Sequence, residues 1–230
     1  MDSTTPITGK KKGNVVVSWT GGKDGCYACC KAMADGYEVT HLLHFRNLEK
    51  TGSHEINPEI IRAQSEAMGI PLIQWDFISY EQEFKKVVLD LRDQGVKTDG
   101  AVFGHIETHG RLVGRICHDL DIELLLPLWK QDPEKLLTEI TDAGFEVLVV
   151  STRDGLMGRE WLGRRIDRGF ISDVRRLNES IDPCGENGEF HTLVTDGPIF
   201  RKKIRITRSE PVLREGYWHL DIRGCALLKK

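Results

Sequence analysis

No stretch of the 230-residue sequence comes near the ~20 consecutive apolar residues that a membrane-spanning helix needs, so no membrane span is expected. Six cysteines are too few for a disulfide scaffold, which makes a reducing cytoplasm the expected location. Charge of one sign is not in excess either. The 32 basic and 35 acidic residues leave a net charge of −3, which provides no global field for gripping DNA or RNA. There is no solenoid-type repeat and no low-complexity block. The opening MDSTTPITGKKKG lacks the apolar core of a secretory signal, and residues 1–12 read as a flexible, polar, basic tail. What remains is 40% apolar and 29% charged, a balance that buries a core and excludes disorder as the main state. The length suits one generous domain, or a domain with a smaller companion.

Apolar periodicity divides the chain into alternating elements. Residues 14–19 form a valine-rich buried strand, and CYACCKAMADG after it suits a helix closed by Gly36. Residues 38–44 read as a strand. Asn57-Pro58 starts a helix that runs to about Met68 and stops at Gly69, before a strand at 70–76. Helices at 81–94 and 111–120 alternate with strands at 100–104 and 122–126. This order predicts a parallel α/β sheet with crossover helices. After Pro127 the character changes. A capped helix at 132–143 leads to a strand at 145–151, the stretch GREWLGRRIDRGF reads as helical, and another helix lies near 172–179. FHTLV, KIRITR and YWHLDIR then look like antiparallel strands. The expectation is a parallel α/β domain over 13–127 and a smaller mixed α+β domain over 128–230.

SWTGGKDG lies between the first strand and its helix, where an open α/β sheet binds its ligand. Gly21 and Gly22 let the backbone approach an oxygen-rich anion, and the N–H groups of the helix point at it. Lys23 adds a positive charge, Ser18 and Thr20 offer hydroxyls, and Asp24 can hold a metal ion or fix the loop. A tight turn whose glycines merely permit the bend has the same pattern. A second dense segment, DPCGENGEFHT at 182–192, carries Glu186, Glu189 and His191 just before a strand. The glutamates suit binding Mg²⁺, orienting ammonia or acting as bases, and His191 suits proton transfer. A surface turn leading into a hairpin is the plain alternative.

Together the two segments resemble a known family. TGGKDG is similar to the S-G-G-x-D-S signature of the PP-loop ATP pyrophosphatases, except that Gly25 stands where the closing Ser is expected and a hydroxyl is lost. GENGEFHT resembles the G-E-x-G-E-F-x-T signature of the diphthine–ammonia ligase family, a branch of that superfamily. QSEAMGIPL at 64–72 and VFGHIETHGRLVGRICHDLDIELLLPLW at 102–129 are also similar to it.

The resemblance implies an adenine nucleotide alpha hydrolase-like PP-loop fold. It also implies an enzyme that uses ATP, Mg²⁺ and ammonia to amidate the diphthine side chain of elongation factor 2. The intermediate would be an acyl-adenylate, and AMP and pyrophosphate would be released. ATP would be held by Ser18, Thr20, Gly21, Gly22, Lys23, Asp24, Gly25, His44 and Gly104. The acceptor would meet Gly185, Glu186, Asn187, Gly188, Glu189 and His191. Lys23, Asp24, Glu186 and Glu189 would be catalytic, with Asp24 toward Mg²⁺. No membrane or DNA partner is implied, and a homodimer stays open. Two other functions use the same residues: adenylation of a small carboxylate or a tRNA base, and a nucleotide-binding module without catalysis.

Other residues invite weaker readings. Cys26, Cys29 and Cys30 share one helix face and read as buried packing rather than a metal or sulfur-transfer site. Cys184 is a candidate reactive thiol or a bystander. His105 and His109 fall near the expected crevice without an assigned role. Arg111 and Arg115 could reach phosphate or pair with acids. The basic cluster of GREWLGRRIDR with Arg175 and Arg176 could meet an acidic partner or form a salt-bridged surface.

Overall fold

The computed structural model describes residues 11–47 and 56–230, so the first ten residues of the expected tail lie outside the described residues. Strand β1 (Gly13–Ser18) occupies the middle of a five-stranded parallel sheet. Val15, Val16 and Val17 have no exposed surface, as a strand covered on both faces requires. Around it run β2 (Tyr37–Asn47), β3 (Leu72–Phe77), β4 (Gly100–Val102) and β5 (Glu123–Leu125), in the order β3-β2-β1-β4-β5.

The crossovers are α1 (Lys23–Ala34), α2 (Pro58–Met68), α3 (Tyr80–Asp93) and α4 (Gly110–Leu120). Helix α2 starts and stops where the sequence indicates. Asn57 Oδ1 accepts from the Glu59 N–H at 2.9 Å, Pro58 fills the first turn, and Gly69 closes the helix with φ at 71°. One side of the sheet, through Val16, Leu43 and Ala101, packs on Phe84 of α3 and Val113 of α4.

Helix α5 (Pro133–Asp142), capped by Asp132, leads to a four-stranded antiparallel sheet. Its strands are β6 (Glu146–Arg153), β7 (Phe190–Asp196), β8 (Lys202–Arg214) and β9 (Tyr217–Lys229), in the order β7-β6-β9-β8. Helix α6 (Phe170–Leu177) lies between β6 and β7 in the chain. Helices α1 and α2 cover the other side of the first sheet and the second sheet packs on them, so that Val15 and Val17 share one core with Ala28 of α1, Ile61 of α2, and Phe145, Val147, Phe190 and Val194. The bonds from Arg201 N to Ala67 O (2.7 Å) and from Val194 N to Gly21 O (3.0 Å) fasten them.

The helix expected over GREWLGRRIDRGF is absent. One 3-10 turn, Arg159–Trp161, is followed by Gly163 at φ 77° and by a bridge from Arg165 to Leu148 on β6. A left-handed glycine breaks the helical run, and the edge of β6 takes the backbone instead.

Candidate active site

The chain places β2 and β3 to one side of β1 and β4 and β5 to the other, so the order reverses between β1 and β4. In an open α/β sheet the crevice at that reversal, beyond the carboxyl ends of the strands, is where ligands bind. The loops leaving β1 and β4 touch there. A Cβ on Gly104 would stand 2.6 Å from Gly25 N and 2.7 Å from the Asp24 carbonyl carbon, so no side chain fits between them. Gly21 has φ at 80°, and a Cβ there would meet Gln64 Oε1 at 2.6 Å.

Gln64 lies outside both motifs, yet it has no exposed surface and sets the turn. Its Nε2 donates to Gly21 O at 2.9 Å and to Val194 O at 2.8 Å, while its Oε1 accepts from Trp19 Nε1 at 2.9 Å. The available signal was its place at the head of QSEAMGIPL. His44 holds the other end of the turn, donating from Nδ1 to Trp19 O at 2.9 Å. Burial lowers its pKa, which keeps the ring neutral. Ser18 Oγ and Tyr80 Oη share a hydrogen bond of 2.9 Å, and Thr20 is exposed at the mouth.

Lys23 is the junction. Its side chain is buried, and Nζ donates to Asp24 Oδ2 at 2.9 Å and to the carbonyl of Cys184 at 2.5 Å. The two motifs therefore meet. Burial pulls the ammonium down, but the Asp24 carboxylate, with Glu186 near it, more than offsets this and holds Lys23 above the ordinary lysine value. The other Asp24 oxygen, Oδ1, is buried without a hydrogen-bond partner among the described residues.

The 182–189 segment folds into two tight turns, with Gly185 and Gly188 at φ 76° and 75°. Asp182 Oδ1 accepts from Cys184 N at 2.8 Å. Glu189 is buried and organises the rest. Its Oε1 accepts from Asp182 N (2.9 Å) and Asn187 Nδ2 (3.2 Å), and its Oε2 accepts from Asn187 N (3.0 Å). Arg153 braces the far side by donating from Nη2 to Asn187 O at 2.7 Å.

Glu186 differs from Glu189. Burial, reinforced by the Asp24 carboxylate, pushes its carboxyl up to about 7. Thus Lys23, Asp24 and Glu186 share one electrostatic site. His191 does not join it, because strand alternation turns its ring away from Thr192, which faces α1, and onto Tyr217 at 6.4 Å between ring centroids.

Several weaker readings resolve into structure. Cys184 is buried, with Sγ directed at Pro133 O, 3.2 Å away, and burial pushes the thiol to about 12; this is a bystander, not a reactive thiolate. Cys26 and Cys29 are fully buried. His105 lies between Phe103 and His109, with ring centroids 6.0 and 5.1 Å away. Arg115 pairs with Glu81, Arg165 with Glu146, Arg168 with Asp142 and Arg175 with Glu134, so the basic stretch is largely salt-bridged surface.

No helix among the described residues is long and apolar enough to cross a membrane. Fold and site together define an open-sheet α/β protein with a glycine turn and a buried lysine at the head of the helix after its central strand. The diphthamide synthase N-terminal domain family matches residues 13–124, and the diphthamide synthase C-terminal domain family matches residues 132–230. The chain belongs to the diphthamide synthase family.

It is similar to the diphthine–ammonia ligase of Homo sapiens, 27% identical over 222 residues that cover 84% of this chain and 83% of that protein. The ligase of Danio rerio is 26% identical, with 84% and 86% covered. That of Schizosaccharomyces pombe is also 26% identical, over 90% of this chain but 38% of its own length. A solved chain, a predicted subunit of a tRNA methyltransferase from Methanocaldococcus jannaschii, superposes at a TM-score of 0.44 with 12% identity. It covers 80% of this chain and 97% of that one.

Proposed function

We propose that the chain is an ATP-dependent ligase that converts diphthine on elongation factor 2 to diphthamide, forming an acyl-adenylate that ammonia attacks and releasing AMP and pyrophosphate. The contact between Lys23 Nζ and the Cys184 carbonyl carries this reading, because it joins the phosphate-binding turn to the acceptor turn. A carboxylate resists ammonia because oxide would have to leave. Adenylation gives it AMP as a leaving group, and adenylation and amidation then occur in one crevice.

Residues 13–127 serve the nucleotide and residues 128–230 the acceptor. Ser18, Thr20, Gly21, Gly22, Lys23 and Gly25 receive the β- and γ-phosphates, with His44 and Gly104 fixing the turn that presents them. Lys23 stabilises charge on the departing pyrophosphate. Glu186, titrating near neutrality, takes the proton from the attacking nitrogen. Glu189, with both oxygens occupied, acts by positioning Asn187 and the acceptor turn.

Asp24 Oδ1 is a suitable Mg²⁺ ligand, since it is a buried carboxylate oxygen without a partner. No group of three His, Cys, Asp or Glu side chains that could hold a metal lies among the described residues. When bound, Mg²⁺ supplies charge neutralisation at the phosphates. The reaction is placed in the cytoplasm, where elongation factor 2 is the acceptor.

The test is product analysis of [α-³²P]ATP with Mg²⁺, ammonium and elongation factor 2 bearing diphthine, with and without that acceptor. Acceptor-dependent AMP and pyrophosphate, lost in Lys23→Ala, are expected. ATP binding without AMP formation would reject diphthine as the acceptor.

A further inference from the structure

The closing serine of the phosphate-binding signature is Gly25 in this chain, and packing does not demand the change. A Cβ at position 25 would meet only Ser18 O within 4 Å, at 3.6 Å. The hydroxyl has been lost from a position with room for it.

Another hydroxyl stands nearby. Helix α1 begins at Lys23, and Gly22, the residue that precedes it, makes no side-chain cap. Its first N–H, that of Lys23, donates instead to Thr192 Oγ1 at 3.1 Å, across 169 positions of the chain. A Cβ on Gly22 would lie 3.3 Å from Thr192 O and 3.4 Å from Thr192 Oγ1, so the missing side chain at Gly22 lets β7 come this close. Thr192 is 6% exposed. Among the described residues its hydroxyl has one hydrogen-bond partner, the Lys23 N–H, for which it is the acceptor. A hydroxyl has a proton to donate as well as lone pairs. That proton is left beside the first turn of α1, where backbone N–H groups and the helix dipole favour an anion.

We propose that Thr192, supplied by the second sheet, donates to the nucleotide's β- or γ-phosphate the hydrogen bond that Gly25 cannot make. This rests on the reading of the turn as an ATP cradle. It adds a binding residue from outside the loop, and it makes a complete phosphate site depend on β7 being docked against α1.

The test measures ATP and AMP affinity by calorimetry with Mg²⁺ for the wild type, Thr192→Val, Thr192→Ser, Gly25→Ser and the double variant Thr192→Val/Gly25→Ser, with a melting curve for each. A hydrogen bond to a charged group corresponds to roughly a tenfold or larger change in affinity. Thr192→Val is expected to lose that much for ATP and to keep its AMP affinity, since AMP lacks the β- and γ-phosphates. Thr192→Ser retains binding, and Gly25→Ser recovers most of the loss in the double variant.

Wild-type ATP affinity in Thr192→Val overturns the proposal. So does an equal loss for ATP and AMP, the mark of a structural defect, or a double variant that recovers nothing. If the wild type itself binds no ATP, the ligase reading fails and this role falls with it. If the wild type binds and Thr192→Val matches it, only the role of Thr192 fails.

Discussion

Lys23 Nζ and the carbonyl oxygen of Cys184 are 2.5 Å apart, although 161 positions separate the two residues in the chain. The same ammonium holds Asp24 at 2.9 Å. A buried cation with two fixed acceptors carries both the local geometry and much of the local stability.

Lys23→Met keeps the bulk of the side chain and removes its charge. It leaves the Asp24 carboxylate and the Cys184 carbonyl without their donor. Breaking a buried pair in this way costs about 3–5 kcal/mol. Urea denaturation is expected to register that loss, and acceptor-dependent AMP formation is expected to disappear even where the variant is folded.

Glu186 sets the expected pH dependence. Its carboxyl is pushed up to about 7 by burial and by Asp24, so the base form grows as pH rises through that value. Turnover should rise with it, and Glu186→Gln should be slower by roughly a hundredfold, with the limb near 7 removed.

Stability runs the opposite way. Between the ordinary glutamate value of 4.5 and about 7 the folded state binds more protons at Glu186 than the unfolded state, so this group's contribution falls as pH rises. The melting temperature of Glu186→Gln relative to wild type should therefore climb from pH 5 to pH 7.5. A difference independent of pH would rule out the raised carboxyl.

Gln64→Leu removes three buried hydrogen bonds, leaves Trp19 Nε1 without its acceptor and takes one donor each from Gly21 O and Val194 O. The expected loss is about 3 kcal/mol or more. ATP affinity should fall too, because the turn loses its brace. Wild-type ATP affinity in a destabilised variant would separate the brace from the cradle.

Gly104→Ala is a milder steric test. The new methyl would press on backbone at Gly25 N and Asp24, atoms that cannot rotate away. Overpacking of this kind costs about 1–3 kcal/mol. The variant should melt a few degrees lower and bind ATP at least several-fold more weakly, both measurable in one thermal-shift titration.

Much of the fold was legible because its signals are local. Valines 15–17, the Asn57-Pro58 start, Gly69 and the Asp132-Pro133 start each act within a few residues, and each is found where the pattern puts it. The stretch from Gly158 to Phe170 misled because its charged, helix-like spacing says nothing of the left-handed turn at Gly163. The lengths of β8 and β9, 13 residues each, depend on pairing with one another, which their separate motifs do not display.

The same limit holds at the site. The glycine turn and the glutamate-rich turn could be read as candidates, but their meeting through Lys23 is a long-range contact. Gln64 and Thr192 lie outside the loop they serve. Glu189 could not be told from Glu186 by residue type; only the donors around its carboxylate set it apart.

The core shared by the two sheets has a consequence for cutting the chain. A break near residue 127 would bare the side of β7 that holds Phe190, Thr192 and Val194, and with it the underside of the Gly21 turn. Neither fragment would carry a replacement cover for its apolar face. The two matched segments are therefore expected to fold only together, and a chain cut between them is expected to give two poorly folding pieces.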